Sequence, residues 1–380
     1  MSLLDEDLLT RIRERAAGYD ERNEFFTEDL EELKAAGYLR ALVPATKGGA
    51  GLSLAQMVRE QMRLAGASPA TALAVNMHHV WLSVARVMAD RGDDALEFVF
   101  QEAADGEVFA FGISEPGNDL VLFGSRTEAV PDDEGGYTFS GTKIFTSLAP
   151  AWTRLGTFGR DDTSPDAPKS VYAFVTREGV QTKNDWDTLG MRATQSHSTV
   201  LEGAHAPADR VVRRLEPGPN PDPLIFGIFS SFEILTSSVY VGIAQRALDL
   251  AIETVRSRTS MLHDGAAHAH LPDPRRRVAA AGIALDGAIT QLLAVARDVD
   301  EQVDHGAAWF AKLSAVKVRT TEAAKQVVEL AVRAAGGSSF FRKNELSRLY
   351  RDVLAGIFHP SSEDSAHNTM ATYLLGPVPD

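Results

Sequence analysis

One run limits what this chain can fold into more than any other: residues 224–244, LIFGIFSSFEILTSSVYVGIA, carry a single charge, Glu233, near their centre. A run of that length can cross a bilayer, yet a carboxylate in mid-span is costly, four Ser and one Thr dilute the run, and no basic flank precedes it. The helical pattern then continues through the polar QRALDLAIETVRSR at 245–258. The whole segment therefore reads as a buried core helix of a helical bundle, and no membrane association is expected. An ionised carboxylate in such a helix is expensive unless it pairs with a charge or its pKa rises. Glu233 is thus a catalytic candidate, the plainer alternative being that it faces an Arg or solvent at the bundle's end.

On either side of this helix the texture changes twice. Residues 1–107 read as a helical unit opened by an amphipathic helix in which Leu8, Ile12 and Ala16 recur at helical spacing. Residues 108–215 carry short β-branched and aromatic runs separated by turn residues: VFAFGI, GSRTEAV, YTFSGTKIFT, SVYAFVT and STVLEGAHAP. After the linker EPGPNPDP, residues 216–380 return to long helices over 226–258, 274–303, 308–335 and 344–356. Helices near 30 residues span about 40–45 Å, which suits an antiparallel bundle. The expected class is α+β, with an N-terminal helical domain, a central β-domain and a C-terminal four-helix bundle.

Composition removes several functions. The net charge of −14 repels phosphate backbones, so nucleic acid is not an expected partner. Without cysteine there are no disulfides, thiolate nucleophiles or Cys-ligated metals, which fits a cytoplasmic enzyme. Neither GxGxxG after a strand, GxxxxGK[ST], HExxH nor GxSxG occurs. His263, His268 and His270 cluster beside Asp264, but a solvated loop between bundle helices accounts for them without a metal.

Five blocks in order, AFGISEPGNDL (110–120), GTKIFTSLAP (141–150), LGMRATQSHSTVLEGAHAPADRVV (189–212), VGIAQRALDLAIETVRSR (241–258) and AVRAAGGSSFFRKNELSRLYRDV (331–353), resemble the acyl-CoA dehydrogenase superfamily along almost the whole chain. The resemblance implies the same three-domain order, a homotetramer, and FAD bound between the β-domain and the bundle. It implies that Phe111, Ile113 and Ser114 lie against the flavin. It also implies that Phe145 stacks beside the ring and that the Ser147 hydroxyl donates near its N5, the atom that accepts a hydride. Arg258 resembles the residue that pairs with the FAD pyrophosphate across a dimer interface. Gly336 and Gly337 resemble a close-approach site for the neighbouring subunit's cofactor, and His79 and Arg192 are the implied substrate contacts.

The departures from the pattern matter equally. Eight residues after Arg351-Asp352, where the dehydrogenases carry their basic Glu, stands Pro360, preceded by His359. Glu233 falls one residue beyond the position used by members that keep the Glu on the first bundle helix, a rotation of roughly 100°. The E-P-G loop is one residue short. A His at 359, with His78 or His79, instead resembles the monooxygenases of the superfamily, which take reduced flavin from a separate reductase. Three readings stand open. In the first, an acyl thioester is dehydrogenated, with Glu233 taking the α-proton, flavin N5 the β-hydride and a further acceptor the electrons. The second is a reduced-flavin monooxygenase that uses His359, and the third a catalytically silent flavin-retaining protein. Glu363 is the next candidate base should Glu233 prove misplaced.

Overall fold

A computed structural model describes residues 2–378. The helical first unit comprises α1 (Glu6–Arg22), α2 (Thr27–Ala35), α3 (Leu54–Ala67), α4 (Pro69–Ala89) and α5 (Glu97–Ala104). Their starts follow from local chemistry. Asp5 accepts from the amide of Leu8 to cap α1, Ser53 and Gln56 form a reciprocal capping box on α3, and Pro69 opens α4 at a position that needs no N–H.

The central sheet has eight strands: β1 (Phe109–Gly112), β2 (Glu128–Pro131), β3 (Tyr137–Lys143), β4 (Arg154–Asp161), β5 (Lys169–Val175), β6 (Val180–Thr182), β7 (Thr199–Ala206) and β8 (Val211–Leu215). The order is β6-β7-β3-β2-β4-β5-β8, with β1 added parallel to β4, Phe111 opposite Gly156. β4 had no clear signature, because two glycines and its charged ends dilute RLGTFGRD, yet it pairs with three strands, β1, β2 and β5. Gly156 is required there: a Cβ would lie 2.3 Å from the Trp81 ring, which packs on the strand and donates from its indole to the carbonyl of Ala110.

The stretch GSRTEAV is a strand only from Glu128 onward. The reason is local: the amides of Arg126 and Thr127 donate to the carboxylate of Glu115, so a side chain takes what a sheet neighbour would need.

The third unit consists of α6 (Pro223–Ser257), α7 (Pro272–Asp300), α8 (Trp309–Ala335), α9 (Glu345–Val353) and α10 (Glu363–Leu375). α6 is the buried axis: α7 and α8 cover one side, α3 and α4 the other. Its most apolar window is 83% buried, so the bilayer-length run is core. Ser231 on α6 meets Ser83 on α4 at 2.8 Å, a polar pin in an otherwise apolar seam. The helix α10 was not foreseen, since its only buried residue is Ala366 and it presents little periodicity. The three clustered histidines lie in short turns between α6 and α7, and no metal-binding group of acidic or His side chains occurs among the described residues.

Candidate active site

The loop after α9 is fixed from two sides. Lys317 on α8 sits on that helix's apolar stripe and donates to the carbonyls of Gly356 (2.8 Å) and His359 (2.7 Å). Glu233 on α6 accepts through Oε1 from both the amide (2.9 Å) and the hydroxyl (2.6 Å) of Ser361. Burial pushes the Glu233 carboxyl up to about 7 against the opposing pull of Ser361 and Lys317, and burial lowers the Lys317 ammonium to about 8. Glu233 therefore faces neither an Arg nor solvent, and its Oε2 has no partner among the described residues.

Between these two anchors the loop presents His359. Its Nε2 lies 2.6 Å from the Tyr240 hydroxyl. Burial holds Tyr240 well above its ordinary pKa, so the phenol keeps its proton, and this imidazole is the one acceptor it reaches among the described residues. Burial and then the charge of Lys317 push His359 down to about 3. The ring is therefore neutral, accepts at Nε2 and carries its proton on Nδ1.

His359 and Glu233 line one cavity of about 530 Å³ at the junction of the three units. α6 supplies Ile228, Phe229, Phe232 and Glu233. The ends of β1 and β3 supply Phe111, Ile113, Ser114, Phe145 and Ser147, and the segment 186–191 adds Trp186, Leu189 and Met191. Phe111 stacks on Phe232 with centroids 5.5 Å apart, and Phe145 meets Trp186 edge-on at 6.1 Å.

The Ser147 hydroxyl belongs to a directional chain. Thr194 Oγ1 donates to the carbonyl of Met191 (2.9 Å), so Ser196 must donate to Thr194 (2.7 Å) and Ser147 to Ser196 (2.7 Å). Each hydroxyl has one proton. Ser147 thus offers lone pairs to the cavity, the reverse of the donor role expected for it.

Five of the expected site residues, and the reserve candidate Glu363, lie outside this cavity. His79 is fully buried, packed edge-on against Tyr38 at 4.9 Å, and both ring nitrogens lack partners among the described residues. Its neighbour His78 is structural: Nε2 meets the carbonyl of Leu39 at 2.7 Å and Nδ1 accepts from the amide of Phe109, tying α4 to β1. Arg192 is engaged by the carbonyls of Asp20 and Thr188 and the carboxylate of Asp187. Arg258 caps the far end of α6, about 25 residues and ~38 Å beyond Glu233 at 1.5 Å per residue. There its guanidinium donates to the carbonyl of Ala335 beside Gly336, with Gly337 exposed next to it. Glu363 is exposed in the first turn of α10.

The acid of the E-P-G motif is a framework residue. Glu115 Oε1 accepts from Lys143 (2.7 Å), the Ser125 (2.6 Å) and Thr127 (2.6 Å) hydroxyls and the Thr127 amide (3.1 Å). Its Oε2 accepts from the Arg126 amide (2.7 Å) and the Asn118 side chain (2.8 Å). Burial raises its pKa, but the Lys143 charge and these bonds outweigh burial and hold it at about 2.

A flavin ring is flat and aromatic, with carbonyl and ring-nitrogen edges. A slot walled by Phe111, Phe145 and Trp186 and edged by Ser114, Ser147 and Ser196 fits that chemistry. The one guanidinium lining the cavity among the described residues, Arg351, is bound to Asp20 and the carbonyl of Leu189. Sequence reasoning missed Tyr240, Lys317 and Ser361. Lys317 was findable, because it puts a charge among the apolar Leu313, Val316 and Ala324 of one helix face.

Comparison with known proteins gives a consistent picture. Residues 6–97 match the family model of the acyl-CoA dehydrogenase N-terminal domain, and residues 234–363 that of an acyl-CoA dehydrogenase C-terminal domain. The L-evernosamine nitrososynthase of Micromonospora sp. is 30% identical over 97% of this chain and 88% of its own length. YdbM of Bacillus subtilis (strain 168), whose name provisionally calls it an acyl-CoA dehydrogenase, is 29% identical over 95% of this chain and 92% of its own. Among solved structures, KijD3 in complex with FMN and dTDP-3-amino-2,3,6-trideoxy-4-keto-3-methyl-D-glucose superposes with a TM-score of 0.85. It is 26% identical and aligns with 98% of this chain and 92% of that one.

Proposed function

Because the chain belongs to the acyl-CoA dehydrogenase superfamily, we propose that it is a reduced-flavin-dependent monooxygenase that transfers one oxygen atom of dioxygen to a small organic substrate in the cavity. The observation that carries this reading is the polarity of the hydroxyl chain ending at Ser147. N5 of an oxidised flavin is an acceptor and N5–H of a reduced flavin is a donor, so lone pairs at Ser147 suit the reduced form. Relatives among the nitrososynthases, and the FMN named with KijD3, support the same direction.

When bound, the flavin supplies two electrons and the activation of oxygen. The chain's own residues do the rest. Phe111, Phe145 and Trp186 wall the ring and exclude water. Tyr240 and Lys317 hold His359 so that its neutral Nδ1–H can donate to an oxygen in the cavity without ever carrying charge near neutral pH. FMN has no adenylate half and needs none of Arg258, Gly336 and Gly337, so FMN suffices in this reading. Acyl-thioester dehydrogenation retains one feature in its favour, the Glu233 carboxylate at the cavity wall.

One experiment separates the two. Protein loaded anaerobically with reduced FMN and then exposed to oxygen-18 gas with a panel of amines, sulfides and indoles is expected to put the heavy isotope into a product. Bleaching of bound oxidised flavin by an acyl-CoA in the absence of oxygen would overturn the proposal.

A further inference from the structure

We propose that His197 is a positioning residue for the flavin: with Gln195 and Asn23 it closes a ring of hydrogen bonds that holds Trp186 in the wall of the slot. This rests on the flavin-dependent reading above. Trp186 belongs to the segment between β6 and β7, in which residues 183–185, 187 and 189 are exposed, so apolar packing does little to hold it. It nevertheless lines the cavity and meets Phe145 edge-on. Polar contacts behind it do the holding.

The amides of Asp185 and Trp186 both donate to His197 Nδ1, each at 3.1 Å. On the other side of the imidazole, Nε2 lies 2.9 Å from Gln195 Oε1. The Gln195 amide nitrogen donates to the carbonyl (2.9 Å) and side-chain oxygen (3.3 Å) of Asn23 and to the carbonyl of Arg192 (3.1 Å), so its oxygen must be the end that faces His197. Asn23 Nδ2 then donates to the carbonyl of Trp186 at 2.8 Å. The circuit leaves Trp186 at its N–H and returns to it at its C=O, through three side chains that each accept at one end and donate at the other.

Its direction is fixed at the imidazole. A proton on Nδ1 would meet two N–H groups, so Nε2 carries it. Asp185 Oδ1, 3.6 Å from Nδ1, is beyond hydrogen-bond reach and accepts from the Ser198 amide instead. His197 is 5% exposed, and burial lowers its pKa against the pull of Asp185, which keeps it neutral. Two members of the ring sit in left-handed backbone, Asn23 at φ 54° and Gln195 at φ 44°. Asn takes that conformation readily at a helix end, whereas Gln does not, and such strain persists only where neighbours hold it. Asn23, Gln195 and His197 do not line the cavity, so they reach the flavin only through Trp186.

The test opens the ring at two links. Asn23→Gly removes a side chain at a position whose backbone suits glycine, so α1 keeps its cap. His197→Phe keeps a buried aromatic ring without nitrogens, and His197→Asn keeps an acceptor where Nδ1 stood. Circular dichroism verifies folding. In the full chain without added flavin, tryptic cleavage after the exposed Lys183, followed by mass spectrometry, is expected to quicken roughly 5- to 10-fold in Asn23→Gly and His197→Phe, the worth of about one hydrogen bond. FMN is expected to bind more weakly by about the same factor in fluorescence titration, and His197→Asn to stay within about 2-fold of wild type in both assays. Unchanged cleavage in folded Asn23→Gly overturns the proposal even if His197→Phe fails to fold. Faster cleavage with wild-type FMN affinity also overturns it, as does His197→Asn being as impaired as a folded His197→Phe. The two readings fail separately. Both ring effects without heavy-oxygen transfer would remove the monooxygenase and keep the positioning role. Heavy-oxygen transfer without the ring effects would do the reverse.

Discussion

Replacing Glu115 by Gln is the sharpest test of how this site is built. The substitution keeps the shape of the side chain but turns one acceptor oxygen into a donor. If the amide takes the Oε2 position, the Arg126 amide and the Asn118 side chain lose their acceptor; if it takes Oε1, Lys143 and three further donors do. Two unsatisfied buried donors cost about 1–3 kcal/mol each. Lys143, fully buried beside the Phe158 carbonyl and ring, loses its counter-charge in either case, a change of a kind that costs roughly 3–5 kcal/mol. The same contacts hold the carboxyl at about 2 instead of 4.5, which is again on the order of 3 kcal/mol at about 1.36 kcal/mol per pH unit. The expected loss for Glu115→Gln is therefore at least about 3–5 kcal/mol, read by urea unfolding followed by circular dichroism and tryptophan fluorescence. Because the folded carboxyl lies below its unfolded value, wild type holds this contribution above about pH 4.5 and loses it as pH falls towards 2. Glu115→Gln should lack that acid limb. Lys143→Met in the Glu115→Gln background should restore part of the loss, since it removes the orphaned charge. A Glu115→Gln loss under about 1 kcal/mol, or a double variant no better than the sum of the singles, would refute the account of the E-P-G acid as framework.

Two further outcomes follow from the same geometry. Ser147→Ala removes the lone pairs facing the cavity and should reduce the preference for reduced over oxidised FMN by roughly 5- to 10-fold, the worth of about one hydrogen bond, as measured by anaerobic fluorescence titration of both forms. Gly190→Ala would set a Cβ 2.4 Å from the Arg351 carbonyl oxygen and 2.8 Å from the Asp352 amide nitrogen, backbone that cannot rotate away, so the 189–191 wall should leave α9 and flavin retention on gel filtration should fall.

The site owes its form to two tethers that no single segment contains. Asp352, which burial pushes up to about 6, accepts from the Met191 amide at 2.6 Å and joins α9 to the wall that carries Trp186. Arg351 beside it pairs with Asp20 of α1, so the first unit, the sheet loops and the bundle meet at adjacent residues. The cavity lies at that meeting point, which is why it draws its lining from all three.

By itself the sequence determined the architecture and the inventory. The 3.6-residue pattern of 226–258 and the alternating runs of the middle third are local signals, and an apolar helix with one charge has few places to go except a core. The same reasoning marked Glu233 as a buried carboxylate, because burying that helix buries its side chains whatever the partners are. Polarity and company were decided only by tertiary structure. Whether Ser147 donates or accepts depends on Thr194 and Ser196, some fifty residues away, and on where the last proton in the chain can go. The tautomer of His359 depends on Tyr240, and the position of its loop on Lys317 and Glu233, brought together across 42 to 128 positions of chain. The two adjacent histidines of α4 look alike in sequence, yet one ties β1 to the helix and the other is sealed in the core. Hydrogen bonds are short-ranged and directional, so the partners that fix a donor or an acceptor exist only once the chain has folded around them.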